Sequence, residues 1–329
     1  MIDDGINFLD GPPHKTQVCI VGTGQAGITL AWYLLRQGID VTLLEGSRSF
    51  NPGGPNAPVE DSYLYNENTL LYNGESVGLF ATTEPQFLIR PTPEFNQGAR
   101  ERDRIYGGTS THWGGQSRPL DAITFEKRPP GFPGWPITRE DLDPYYAEAC
   151  RFLELYGDYY APDGIAGYNF TAEFWANELG QAVADLEGFD VDMYQFVPEQ
   201  NLQFQARKVD GKTIGESSAL VILNASLLNI VQQGGSVSAL TVGVLDGDRD
   251  DPKVLGEFTV CADVCVLACG AVANARQLLL SDVGNKYVGR YLMAHPIADD
   301  ANAVQVSPYY LQRSGSCCRI KTRNGRTPK

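Results

Sequence analysis

The chain has 329 residues and is 43% hydrophobic, so it is long enough to bury one large core or two ordinary ones. Its 40 acidic residues against 26 basic ones give a net charge of −14, which argues against nucleic acid and anionic membranes as partners. No run approaches the roughly 18 apolar residues of a membrane span, and the N-terminus lacks the basic and apolar regions of a secretory signal. With seven cysteines and no CxxC pair, a cytoplasmic protein is expected.

The first recognisable unit is a strand, a glycine loop, a helix and a second strand, all between Thr16 and Glu45. Short β-rich apolar runs predict strands at Val18–Val21 and Val41–Leu44. Apolar spacing predicts a helix over Ile28–Gln37, and the glycine directly after it is a typical C-terminal stop. This order of elements is the full structural context of a dinucleotide-binding fingerprint. The alternative, that the glycines form a chance loop, explains this context much less well.

The loop itself has the sequence GTGQAG, and each glycine in it has a separate physical task. Gly22 allows the tight turn, Gly24 lets the backbone approach a pyrophosphate, and Gly27 lets the helix pack closely on the sheet. The helix N-terminus offers unpaired N–H groups to the phosphates. Glu45 ends the second strand and can accept hydrogen bonds from both ribose hydroxyls, and its charge disfavours a 2′-phosphate. The predicted residues for the ADP half are Gly22, Gly24, Gln25, Ala26, Gly27 and Glu45.

The second informative stretch is IYGGTSTHWGGQSRPL, from Ile105 to Leu120. Two glycine pairs bracket Thr109–Trp113, so the backbone can come close to a flat ligand while hydroxyl groups bond its polar edge. Together with the fingerprint, this stretch resembles the glucose–methanol–choline flavoprotein oxidoreductases, and STHW is similar to the pyranose-oxidase branch that oxidises sugars and glycosides. The resemblance implies FAD as the cofactor. The residues that it places near the flavin are Gly107, Gly108, Thr109, Ser110, His112, Gly114 and Gly115.

The same resemblance gives His112 a specific role. In the pyranose-oxidase branch the histidine of STHW is bonded covalently to the flavin 8α-methyl group, and His112 occupies that position. The alternative is a histidine that only hydrogen-bonds within a glycine-rich turn. His295 stands in a histidine–proline pair that the family also has, which implies a place near the flavin, but it is a weak candidate for a catalytic base.

Later apolar runs predict the remainder of the nucleotide sheet. The predicted strands are Leu227–Val231, Val237–Leu245, Glu257–Cys261 and Val264–Ala268, and the predicted helix is Val272–Leu280. In the family such a final strand returns to the nucleotide sheet, which implies that Ala268 and Gly270 are neighbours of FAD. The resemblance also implies that the backbone of Val231 contacts adenine. Ordinary sheet packing is the alternative for each of these three residues.

The catalytic base that the family normally uses has no counterpart in this sequence. The family places a histidine, paired with a second histidine or an asparagine, in a C-terminal block, whereas nothing after His295 contains a histidine. After Asp300 there are six basic and no acidic residues, and Asn324-Gly325 is expected to lie in a sheet-free tail. Three explanations stay open: a second polypeptide completes the fold, the chain is a fragment, or the fold is reduced to a flavin-binding module. We favour a second polypeptide, because the rest of the chain is consistent with the family.

The predicted fold is α/β, with a Rossmann-like FAD-binding domain of parallel sheet and helices on both faces, and a discontinuous, incomplete substrate-side α+β lobe. The FAD-binding domain is predicted at 12–50, 101–120 and 201–285, and the lobe with its cover segments at 51–100, 121–200 and 286–329. The predicted function is oxidation of a sugar or glycoside hydroxyl by hydride transfer to flavin N5, with the base on a partner chain. The alternatives are a non-redox or non-catalytic FAD-binding subunit and an NAD-dependent dehydrogenase, which leaves the second glycine stretch unexplained. No metal site is expected.

Overall fold

A computed structural model describes residues 1–47, 106–111, 113, 115–128, 134–155, 189–198, 201–245, 254–290 and 316–322. The chain divides into two compact units. The first consists of Met1–Trp113 and Gln203–Ala294, and the second of Gly114–Leu202 and His295–Lys329. The predicted domain limits stay a prediction.

The first unit is built on a seven-stranded sheet, and the second contains a three-stranded sheet. In chain order the strands are β1 Ile2–Asp4, β2 His14–Val21, β3 Val41–Leu44, β4 Gln116–Ser117, β5 Phe189–Phe196, β6 Leu220–Leu223, β7 Ser226–Gln233, β8 Ser236–Leu245, β9 Val254–Leu267 and β10 Ser316–Thr322. The α-helices are α1 Gln25–Leu35, α2 Asp143–Leu153 and α3 Ala271–Leu280. The larger sheet has the order β1-β6-β3-β2-β9-β8-β7.

Five neighbouring strands of the larger sheet, from β1 to β9, are parallel, and β8 and β7 are antiparallel. Strand β3 is buried on both faces, as expected for a central parallel strand covered on both sides. Val41, Leu43 and Leu44 are fully buried, and each contributes about 1.5–3 kcal/mol relative to exposure. Helix α1 packs against β2 and β3, and α3 packs against β7. The predicted α/β class with a Rossmann-like sheet is confirmed.

The antiparallel part of this sheet confirms the predicted meander and corrects one of its limits. Strands β7 and β8 are joined by Gly234 and Gly235, which both have positive φ angles, as a type I′ hairpin requires. The sequence predicts two short strands between Glu257 and Ala268, but β9 is one continuous strand of 14 residues. The first half of β9 pairs with β8 and the second half pairs with β2. Partners on opposite edges hold the strand together where the local pattern indicates a break.

Strand β2 begins at His14, four residues before the predicted start. The Nε2 atom of His14 lies 2.9 Å from Oγ1 of Thr42, and its ring contacts Phe8 edge-on. Burial lowers the pKa of His14, and the charge of Asp40 opposes that shift. The strand therefore incorporates His14 into the sheet.

The smaller sheet is antiparallel and has the order β10-β5-β4. Strand β10 lies in the tail that was expected to be free of sheet, so that expectation is wrong. The β-branched Ile320 and Thr322 favour a strand, but its partner β5 lies more than a hundred residues away and is not visible in a local pattern. Before α2, Thr138 and Asp141 cap each other: the backbone N–H of each donates to the side chain of the other, at 2.8 Å and 3.3 Å. Within the described segments, no helix combines the length and apolar character needed to cross a bilayer.

Candidate functional site

The glycine loop between β2 and α1 is shaped by the absence of side chains. Gly22 has a φ of +106°, and a Cβ there would lie 2.5 Å from the carbonyl oxygen of Ala268. A Cβ on Gly27 would meet the carbonyl oxygen of Gly22 well inside contact distance. Both contacts are with backbone, which cannot move aside as a flexible side chain can. The first and third glycines therefore allow β2, β9 and α1 to approach one another.

Gly24 has a different environment, because nothing lies within 4 Å of its Cβ position. It is the N-cap of α1, with extended backbone, and its carbonyl accepts the N–H of Ile28 at 3.0 Å. Gln25 and Ala26 form the start of the helix, whose first turn contains no acidic side chain. The open space thus lies against unpaired helix N–H groups and the positive end of the helix dipole, which fits a pyrophosphate.

Glu45 stands directly after β3 and is only 6% exposed. Its Oε2 accepts hydrogen bonds from Thr23 Oγ1 and, at 3.4 Å, from Thr23 N. Its Oε1 accepts the N–H of Ser47 at 3.0 Å. Burial raises the pKa of Glu45, and these hydrogen bonds oppose the shift. A carboxylate has about four acceptor sites, so capacity is left for a ribose hydroxyl.

Thr23 links the two glycine-rich stretches. Its Oγ1 donates to Glu45 and accepts the backbone N–H of Gly107 at 3.1 Å. A Cβ on Gly108, whose φ is +56°, would lie 3.0 Å from the Cα of Gly24. The backbone at Gly107 and Gly108 therefore lies directly on the fingerprint loop, as a single cofactor bound by both segments requires.

The second stretch is itself held by a buried serine. Residues Gly108–Thr111 form a 3-10 turn that includes Thr109. Ser110 is fully buried, and its Oγ donates to the Gly107 carbonyl at 2.6 Å and accepts the N–H of Phe204 at 3.2 Å. The ring of Trp113 meets Phe204 edge-on, with centroids 6.1 Å apart. The segment around Phe204 thus packs against Ser110 and Trp113 and holds this part of the second stretch in place.

Two polar side chains beside Gly107 were not predicted. Gln205 is 6% exposed and packs its amide against Gly107, yet neither amide atom has a hydrogen-bond partner. The buried hydroxyl of Tyr106 also has none. Burial raises the pKa of Tyr106, with smaller contributions from the charges of Glu45 and Glu216. An unpaired buried polar group costs about 1–3 kcal/mol. The one sequence signal is the position of Tyr106 immediately before the glycine pair.

The turn after β9 brings Ala268 to the fingerprint loop, as predicted from the family. The Ala268 N–H bonds the Val21 carbonyl at 2.7 Å, and its own carbonyl faces Gly22. Gly270 follows two residues later as the N-cap of α3, with a φ of +85° and nothing within 4 Å of its Cβ position. Asn274 secures the turn by accepting the Cys269 N–H at 2.9 Å.

Val231 lies elsewhere, and the sheet register shows why. Val231 of β7 pairs with Ala239 of β8. The next residue of β8, Leu240, pairs with Val260 of β9, and Val260 pairs with His14 at the start of β2. The glycine loop follows the other end of β2, seven residues or about 23 Å further along the strand. The structure therefore does not bring Val231 to the site. The connection that does reach it precedes β7: Ala225 N–H bonds the Glu45 carbonyl at 2.8 Å.

Four predicted site residues remain. His112, Gly114 and His295 lie outside the described residues. Gly115 belongs to the second unit, where its carbonyl accepts the N–H of Val197 at 2.8 Å. No group of three metal-binding side chains occurs in the ranges that the structure describes.

Comparison with known proteins identifies the dinucleotide. The sequence profile of a family described as FAD binding domain matches residues 15–57, which contain β2, the glycine loop, α1, β3 and Glu45. None of the curated proteins matches the chain. The open space at Gly24, the helix N-terminus and the buried acid fit this cofactor.

Several solved structures resemble the chain at low identity. Pyridoxine 4-oxidase from Mesorbium loti is 17% identical, with a TM-score of 0.45 over 82% of this chain and 52% of that one. Formate oxidase is 15% identical, with a TM-score of 0.45 over 82% and 48% of the two chains. An Aspergillus oryzae RIB40 formate oxidase variant with an effect on FAD modification is 15% identical, with a TM-score of 0.42 over 83% and 48%. The chain spans about half the length of these structures. The family profile alone gives FAD as the cofactor of its nucleotide sheet.

Proposed function

We propose that the chain is the FAD-binding part of an oxidoreductase that oxidises a hydroxyl group of a sugar or glycoside. The observation that carries the proposal is the hydrogen bond from Gly107 N to Thr23 Oγ1, which holds Gly107, the first residue of GGTSTHWGG, on the fingerprint loop. A site for the ADP half alone needs only β2, the glycine loop, α1 and β3, so an NAD-dependent dehydrogenase leaves this second stretch without a purpose. The resemblance of the stretch to sugar-oxidising flavoproteins supports the substrate class.

The residues of this chain bind and orient the cofactor. When bound, FAD would supply the hydride acceptor for the C–H bond of the substrate. The loop around Gly24 would hold the pyrophosphate, Glu45 would accept a hydrogen bond from the ribose, and the stretch from Gly107 to Ser110 would support the flavin half. The same proposal makes His112 the covalent attachment residue. The intact mass of the acid-denatured protein tests this point: wild type carries one added FAD, and His112→Ala carries none.

The proposed reaction needs a base to take the hydroxyl proton, and the described residues offer no histidine for it. His14, the one histidine among them, bonds Thr42 at the start of β2, at the opposite end of that strand from the glycine loop. We therefore propose that a partner polypeptide supplies the base. The exposure of Val264 supports this proposal. Val264 is 52% exposed although β9 is a central strand, as expected if a partner polypeptide covers this part of the sheet.

Anaerobic addition of sugars to the native FAD-loaded protein, with every co-purifying chain retained, tests the reaction. Loss of the visible absorbance of oxidised flavin is expected with a free sugar or glycoside and not with its fully O-methylated counterpart. Native mass analysis of the same sample is expected to show a second polypeptide. A lone chain that turns over substrate would contradict the partner, and a loaded complex that no sugar or other alcohol reduces would contradict the oxidoreductase.

A second candidate is a non-redox or non-catalytic FAD-binding subunit. The observation that favours it is the lack of a base within the described part of the site. The sugar titration separates the two candidates, because a structural FAD stays oxidised. A covalent bond through His112 would speak against this candidate, since tuning the flavin potential matters only for redox chemistry.

A further inference from the structure

Gln205 has an environment that the interactions within the chain do not explain. It lies in a tight turn in which the Gln203 carbonyl accepts the N–H groups of Ala206 at 3.2 Å and Arg207 at 3.0 Å. This turn buries the Gln205 side chain to 6% exposure, with its Oε1 and Nε2 both lacking partners. Buried side-chain amides in native proteins are normally satisfied, so a ligand or a trapped water is the expected partner.

The position of this amide ties it to the cofactor site. Its Oε1, Cδ and Nε2 are the three nearest atoms to the Cβ position of Gly107, so any side chain at 107 would collide with it. Gly107 donates to Thr23, and its neighbour Tyr106 carries the other unpartnered hydroxyl. Gly107, which is hydrogen-bonded to the fingerprint loop, therefore touches one unsatisfied buried amide and directly follows the residue that carries the unsatisfied buried hydroxyl.

We propose that Gln205 and Tyr106 are FAD-binding residues that complete their hydrogen bonds with the polyol hydroxyls next to the pyrophosphate. The chemistry of the groups selects this partner. Phosphate oxygens only accept, so they would leave the amide oxygen of Gln205 unpaired. A ribose or ribityl hydroxyl both donates and accepts, and so matches an amide and a phenol. The inference depends on FAD binding and not on the proposed oxidation.

Binding and stability measurements on Gln205→Leu and Tyr106→Phe, made in the His112→Ala background so that FAD binds reversibly, test this inference. Both variants remove an unpaired polar group without adding volume. The urea midpoint of each variant without FAD is therefore expected to equal or exceed that of the same protein with Gln205 and Tyr106 intact. FAD affinity, followed by quenching of flavin fluorescence, is expected to fall about tenfold for Gln205→Leu and less for Tyr106→Phe. Gln203→Leu, in the same turn, is the matched control and is expected to keep the wild-type affinity.

Titration with ADP locates the hydroxyl. If Gln205→Leu weakens ADP and FAD alike, the partner is the adenosine ribose; if it weakens FAD alone, the partner is the ribityl chain. Wild-type FAD affinity in both Gln205→Leu and Tyr106→Phe would overturn the inference and leave a trapped water as the partner. Because the readout is binding, an absence of sugar oxidation would refute the proposed function and leave this result unaffected.

Discussion

The two glycine-rich segments of the first unit meet at the same place but are held there by different forces. The fingerprint loop from Gly22 to Gly27 is fixed by backbone contacts, in which missing side chains let carbonyls and strands approach. Residues 106–111 of the second stretch are fixed by side-chain hydrogen bonds of Thr23 and Ser110. Added side-chain atoms are therefore expected to destabilise the first segment. Loss of side-chain hydroxyl groups is expected to destabilise the second.

The largest effect is expected from Gly27→Ala. The added Cβ would collide with the Gly22 carbonyl, so the loop or α1 must shift. Such overpacking against backbone is expected to lower the free energy of unfolding by about 3 kcal/mol, measured by urea unfolding of the apo protein. FAD binding is expected to be lost as well.

Gly24→Ala is the matched substitution three residues earlier. Nothing stands near its Cβ position in the apo protein, so unfolding is expected to change by less than about 1 kcal/mol. FAD affinity is expected to fall at least about tenfold, because the methyl group enters the space for the pyrophosphate. Equal losses of stability in the two variants would contradict the steric distinction between these glycines.

The second stretch is tested by Thr23→Val, which keeps the side-chain shape and removes the hydroxyl. It leaves the Gly107 N–H without its partner and Glu45 Oε2 with only the backbone N–H of Thr23 at 3.4 Å, so a loss of about 2 kcal/mol is expected. Hydrogen exchange at 106–111 should become faster while exchange in α1 stays slow. Thr23→Ser, which retains the hydroxyl, is expected to behave as wild type. If Thr23→Ser loses as much stability as Thr23→Val, the hydrogen bond from Gly107 N to Thr23 Oγ1 is not what holds residues 106–111.

A smaller effect is expected from Ser110→Ala. The serine hydroxyl bridges the Gly107 carbonyl and the Phe204 N–H in a fully buried position. Its removal is expected to cost about 1 kcal/mol in unfolding free energy and to speed exchange of the Phe204 amide. Unchanged exchange at Phe204 would show that the turn is held in another way.

The smallest effect on stability is expected from Glu45→Gln, and it depends on pH. Burial raises the pKa of Glu45 in the native state above its usual value of 4.5, so the native protein binds a proton more tightly than the unfolded chain. The Glu45 contribution to stability is therefore present at low pH and is lost as pH rises through the native pKa. Glu45→Gln lacks this pH dependence. As the pH rises above 4.5, the urea midpoint of the wild type should therefore fall relative to that of the variant. Parallel pH profiles would contradict the burial of a charged Glu45.

The fingerprint was readable from sequence because sterics alone define it. Gly22, Gly24 and Gly27 require only their spacing between a strand and a helix, and the structure places them as the pattern indicates. The core strand Val41–Leu44 was predicted with its observed limits for a similar reason, since it is apolar on both faces. Ala268 was identified through the family resemblance and does lie against Gly22.

Features that depend on distant partners were missed. Gln205 has no motif, because its significance arises from packing against Gly107, almost a hundred residues earlier. Strand β10 forms on β5, and the continuity of β9 depends on both β2 and β8. Val231 was misplaced because strand identity in the sequence does not give strand order or register.

Hydrogen–deuterium exchange of the apo and FAD-loaded protein tests the central claim most directly, that one FAD occupies both glycine-rich segments. The amides of Gly22–Gly27 and of 106–111 are expected to slow together, with the same dependence on FAD concentration. If FAD protects only the first segment while 106–111 exchanges as in the apo protein, the second stretch is not part of the cofactor site.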